Sequence, residues 1–251
     1  EAVTLSDTTL AASTLNSTDG LTSGVVNVAS VTTLTGSAAD VASAYASSGI
    51  SGLGDEAVTL SDTTLAASTL NSTDGLTSGV VNVASVTTLT GSASDVALAY
   101  ASSGMSGLGD EAVTVTGTAT VTEVNTIDAA TSGVVTATLS DGDLATLTTL
   151  TGTGNAYTVT LSDTTAAASD LLTVEATTTV AVDAASVTTL TGTAADVALA
   201  QTSVGITGLG NEAVTVTGMA TVTEVNTIDV ETIGVVTATL SDGDLATLTT
   251  L

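Results

Sequence analysis

The chain repeats itself almost verbatim, and no feature limits its possible folds more. Residues 1–55 and 56–110 differ at three of 55 positions, Ala39/Ser94, Ser43/Leu98 and Ile50/Met105. Residues 111–150 and 212–251 differ at four of 40, and Leu251 aligns with Leu150, after which the earlier copy continues TGTGNAYTVTL. Self-similarity at such a period is the mark of an array in which each unit buries its apolar face against the next. The expectation is one continuous solenoid over 1–251, in repeats 1–55, 56–110, 111–211 (a variant) and 212–251 (partial), read as a window on a longer array.

A finer punctuation lies inside the repeats. Short β-prone stretches end in Leu or Val followed by Ser/Thr and Asp/Gly. They end at Leu5, Leu34, Leu60, Leu89, Val115, Leu139, Leu150, Leu161, Leu190, Val216 and Leu240. Their spacing predicts coils of about 24–29 residues, long enough for a parallel strand to return through a crossover. Ser37 with Asp40, Ser92 with Asp95 and Thr193 with Asp196 stand before Ala-rich stretches as helix caps. Gly49, Gly104 and Gly205 stand where such helices would stop. SDTTLAASTLNSTDG suggests another helix, capped by Ser6 or Asp7 and stopped at Gly20, and SDGDLATL from Ser140 a shorter one. The fold class expected is an α/β solenoid of parallel strands and short helices. The alternative is an all-β right-handed solenoid with three strands per repeat. The two short steps after Leu139 and Leu150 predict a local change to β turns or a hairpin.

Composition removes whole classes of chemistry. There are 26 Asp plus Glu and no Lys, Arg, His, Cys, Pro, Trp or Phe, giving a formal charge of −26. Phosphate backbones and anionic membrane surfaces are held by basic residues, so nucleic acid is excluded as a partner. Without His or Cys there is no Ser-His-Asp or Cys-His catalysis, no zinc site and no thiol redox chemistry. Hydrophobic residues make up 43%, too many for a disordered acidic chain. No apolar run reaches the roughly 18 residues that membrane insertion requires. Glu1 is not preceded by a basic n-region, so no signal peptide is expected.

What remains for chemistry is acidic and recurrent. Asp55-Glu56, Asp110-Glu111 and Asn211-Glu212 close the phrase G-I/M-S/T-G-L-G-D/N-E, while Asp19, Asp74 and Asp128 recur near helix ends. Stacked carboxylates without cations suggest Ca²⁺, which takes six to eight oxygen ligands. The candidate metal set is therefore Asp55, Glu56, Asp110, Glu111, Glu212, Asp19, Asp74 and Asp128. Against it stand plain structural roles as caps and turn formers. The G-L-G-D phrase also differs from the nonapeptide of Ca²⁺-binding β-rolls. Acidic pairs could serve glycoside cleavage, but an active site is normally built once and these are copied, so no enzyme is expected.

The phrases TLTGTAADVALA, VGITGLG and EAVTLSDTT resemble repeats of very long, acidic, Thr/Ala/Ser-rich surface proteins of cyanobacteria and other aquatic bacteria. The resemblance runs through essentially the whole chain and implies an extracellular, cell-surface structural protein, a segment of a filament or sheath. Its alternative is a Ca²⁺-dependent adhesin presenting a repeated ligand face. Self-association or continuation of the array, and possibly cell-surface glycans, are the partners it implies.

Overall fold

The computed structural model describes residues 1–251, every side chain except that of Leu245 included. Contacts divide the chain into two compact units, 1–117 with 126–135, and 118–125 with 136–251.

In the first unit short parallel strands alternate with helices. The order is β1 (Val3–Thr4), β2 (Thr9–Ala11), α1 (Ala12–Leu21), β3 (Val26–Asn27), β4 (Thr33–Gly36), α2 (Ala38–Ala46) and β5 (Ile50–Ser51). The second copy repeats it with β6 (Ala57–Leu60), β7 (Thr64–Ala66), α3 (Ala67–Asp74), β8 (Val81–Asn82), β9 (Thr88–Gly91), α4 (Ala93–Ala101) and β10 (Met105–Ser106), before β11 (Ala112–Ala119). The strands alternate Thr outward with Leu or Val inward; Leu34 and Leu89 have no exposed surface. Helix α2 presents Ala38, Val41 and Ala44 to the core, a narrow stripe of small side chains that lets the helix lie close to the sheet.

Pairing sets the coil length. Thr33 stands between Thr9 and Ala57, and Thr88 between Thr64 and Ala112, each step 24 residues. The 55-residue repeat thus holds two coils with seven residues over. The surplus is absorbed by strand AVTL: β6 pairs on one side with β4, in the ribbon its predecessors end, and on the other with β8, in the ribbon it begins. The sheets therefore run β1-β3-β5 and β2-β4-β6-β8-β10, with β7-β9-β11 starting the next. The 26- and 29-residue intervals of the sequence reflect marks at different points of the coil. A single 24-residue coil replaces the expected range of 24–29.

The second unit holds α5 (Val121–Asp128, its first half), β12 (Val135–Leu139), α6 (Leu144–Leu147), β13 (Ala156–Thr158), β14 (Thr165–Ala167), α7 (Ala168–Glu175), β15 (Val182–Asp183) and β16 (Thr189–Gly192). It continues through α8 (Ala194–Thr202), β17 (Ile206–Thr207), β18 (Ala213–Ala220), α9 (Val222–Asp229), β19 (Val236–Leu240) and α10 (Leu245–Leu248). Its parallel sheets are β12-β13, β14-β16-β18-β19 and β15-β17. Between β12 and β13 the coil shortens to 20 residues, Thr136 pairing with Ala156. The expected β turns or hairpin are replaced by the four-residue α6 and a parallel return. Leu150 ends no strand; its amide donates to the Leu147 carbonyl in the turn after α6. Among the described residues every crossover of regular length carries a helix, which favours α/β over all-β, and no closed barrel forms. No helix is long and apolar enough to cross a membrane among the described residues.

Candidate functional site

The recurring acidic residues fall into three structural positions, and each binds one coil to another or a helix to a strand. In the first, Glu56 and Glu111 are wholly buried and Glu212 is 1% exposed. The phrase G-L-G-D-E turns sharply at Gly54 (φ +148°) and drops the glutamate inward before the strand. The Tyr45 hydroxyl on α2 donates to Glu56 Oε2 at 2.6 Å, and the Gly54 amide donates to the same oxygen at 2.9 Å. Tyr100 and Gly109 do likewise for Glu111, at 2.8 Å each. In the third copy Gln201 Nε2 takes the tyrosine's place, 2.9 Å from Glu212 Oε1, with the Gly210 and Asn211 amides on the other oxygen. These donors replace the water a buried carboxylate loses. Burial, and then the bond to Glu56, raise the Tyr45 hydroxyl well above its ordinary value; the same causes act on Tyr100 through Glu111.

Backbone contacts reinforce this position. Thr77 Oγ1 donates to the Glu56 carbonyl at 2.7 Å and accepts from the Gly79 amide at 3.0 Å. Gly79 lies so near that carbonyl that any Cβ would overlap it; Gly24, Gly133 and Gly234 stand in the same way over Glu1, Glu111 and Glu212.

In the second position, half-buried Asp19 and Asp74 end the helices α1 and α3. Ser47 Oγ from the next coil donates to Asp19 at 2.6 Å, and Ser102 to Asp74 at 2.8 Å. Here the expectation for Gly49, Gly104 and Gly205 as helix stops is corrected. Helix α2 ends at Ala46, three residues earlier. Gly49 is small because the Asp19 carboxylate occupies the space a Cβ would need, and Glu175 and Asp74 do the same to Gly205 and Gly104. Asp128, the last residue of α5, is half-buried.

The third position was missed in the sequence. Asp62 Oδ2 accepts from the Ala38 amide, the first residue of α2 in the preceding coil, at 2.8 Å. Asp141, Asp163 and Asp242 do this for Val121, Leu144 and Val222, each at 2.6 Å. A carboxylate from one coil thereby caps the helix of the one before, where the helix dipole also favours it. The signal was present as the recurrent Ser-Asp after each strand, but it was read as a local cap for the helix that follows. That reading is corrected: α1 and α3 start behind Ala11 and Ala66, with no side-chain cap, and α1 runs through Gly20 to Leu21. The expected caps Ser37, Ser92 and Thr193 do accept from the amides of Asp40, Asp95 and Asp196. A Thr221–Glu224 capping box on α9 had gone unread.

The candidate metal residues are thus spread over separate surroundings. Asp55 and Asp110 are exposed while Glu56 and Glu111 beside them are buried, and the buried oxygens face N–H and O–H donors, which cannot ligate a cation. Among the described residues no group of three or more His, Cys, Asp or Glu is placed to hold a metal ion. Chemically the arrangement binds protein to protein: carboxylates act as acceptors between coils. No protein-family model, curated protein or solved structure matches this chain.

Proposed function

We propose that this chain is a structural repeat segment, a non-catalytic solenoid that gives length and stiffness to an extracellular, cell-surface filament or sheath. The supporting observation is the recurrence of the same coil-to-coil bonds: Asp62, Asp141, Asp163 and Asp242 each cap the helix of the preceding coil. An element that closes on its neighbour in the same way each time adds coils without limit, its stability a sum of nearest-neighbour terms. The resemblance to acidic repeat proteins supports the surface location. So does the absence of Lys and Arg, which leaves trypsin-like proteases nothing to cleave. A Ca²⁺-dependent adhesin is the weaker reading, because it needs carboxylates that are otherwise engaged in hydrogen bonds.

Small-angle scattering from chains carrying one, two and four inserted copies of residues 56–110 tests the proposal. Two coils at a strand spacing of ~4.8 Å should lengthen the particle by about 10 Å per copy at constant cross-section. Growth of the radius of gyration as a compact globule, with roughly the 0.38 power of chain length, would reject it.

A further inference from the structure

The groove between the C-terminal ends of α7 and α8 differs from its counterpart in the other unit in a way that selects a partner. It measures about 430 Å³ and is walled by Leu172, Val180, Leu199 and Val204, with Glu175 and Gly205 at its base. Val204 is 96% exposed and Leu199 57%, so the apolar lining is open to solvent. The equivalent groove between α3 and α4 is about 330 Å³ and is lined by Asn71, Asp74, Leu98 and Ser103. Leu172 thus stands for Asn71 and Val204 for Ser103, in a chain whose copies are otherwise close. At Asn71 the side chain donates to the Asp95 carbonyl at 3.0 Å; Leu172 gives up that bond and offers a hydrophobic wall instead.

The electrostatics of the groove are one-sided. Two helix C-termini end beside it, neither with a basic residue in its last turn, and each carries the negative end of a helix dipole. The Glu175 carboxylate adds a full charge, met only by the Ser203 hydroxyl among the described residues. No side chain in the sequence can supply a cation. A second copy, with 26 acidic groups and no basic one, brings the wrong charge. The apolar wall with a negative floor suits a Lys or Arg side chain, whose aliphatic stem covers Leu172, Leu199 and Val204 while its head reaches the carboxylate.

We propose that this groove is a docking site for a basic, aliphatic segment of another protein. The inference is independent of the filament reading, since it concerns only one groove in one unit.

Calorimetric titration at physiological salt, where diffuse attraction to an acidic chain is screened, tests it with three peptides: Leu-Lys-Val-Lys-Leu, its Glu counterpart, and Gly-Lys-Gly-Lys-Gly. The first should saturate one site per chain, and the other two should bind at least tenfold more weakly. The double variant L172N/V204S copies the residues of the α3–α4 groove, which the same chain already accommodates, and should lose at least tenfold in affinity with an unchanged circular dichroism spectrum. The converse variant N71L/S103V should raise the stoichiometry from one to two. Equal binding by L172N/V204S, or equal binding of the Glu or Gly peptide, would overturn the proposal, as would an unsaturable titration.

Discussion

At the scale of single residues, two glycines of this chain carry opposite expectations. Gly79 faces the Glu56 backbone, and a Cβ there would overlap it. Backbone cannot yield as a flexible side chain can, so Gly79→Ala should destabilise by about 1–3 kcal/mol, the range for overpacking. Gly20 lies inside α1 with nothing near its missing Cβ. Gly20→Ala should stabilise by roughly 0.5–1 kcal/mol, through helix propensity alone. Urea unfolding of the two variants checks both signs. The tyrosines give a second residue-scale prediction. Because burial and the bond to a carboxylate raise Tyr45 and Tyr100, folding favours their protonated form. Their contribution is present in full below the ordinary value of about 10 and is lost as pH rises through the elevated values. Absorbance at 295 nm should show two tyrosines titrating later in the folded chain than in urea. Glycine roles of this kind were not legible in the sequence: Gly49 reads as a helix stop, and only the neighbouring coil, supplying Asp19, shows it to be a close approach.

At the scale of elements, the local signals were legible and the cross-coil ones were not. Ser37–Asp40 sits within one turn of the helix it caps, so spacing alone locates it. Asp62 caps a helix that begins 24 residues earlier, at Ala38, and its own neighbourhood offers no trace of that partner. The same limit explains the misplaced Leu150, whose Thr-Leu-Thr-Gly context matches true strand ends although the preceding α6 turns it into a helix terminus. Asp62→Ala should cost about 1 kcal/mol, the usual value of a helix cap, and should raise amide exchange at Ala38 before the rest of α2. Acid should act on the local caps. Hydrogen bonds from Thr146, Thr221 and Thr247 hold Asp143, Glu224 and Asp244 below the ordinary carboxylate range. Folding favours their ionised form, so their contribution is present above an ordinary value near 4 and is lost as pH falls through the lowered values. Amide shifts of Thr146 and Thr247 between pH 5 and pH 2 would follow that loss.

At the scale of the whole molecule, repetition was legible at once and its geometry only in part. A 55-residue repeat suggests coils of some even fraction, yet the coil is 24 residues and the surplus seven are taken up by a strand shared between two ribbons. No property of β6 as a sequence says that it pairs on both edges; that follows from the neighbours the crossovers deliver. The acidic ladder was legible as a pattern and misleading as chemistry. Like charges recurring in register suggest a cation, whereas in the fold the buried members each meet hydroxyl or amide donors and the exposed ones face solvent.

The central claim is that these carboxylates hold coil to coil by accepting hydrogen bonds, without a metal. Thermal unfolding followed by circular dichroism, in millimolar Ca²⁺ and then in chelator at matched ionic strength, tests it most directly. The account predicts the same melting temperature in both. A melt that drops on chelation and recovers with Ca²⁺, but not with Na⁺ of equal ionic strength, would contradict it.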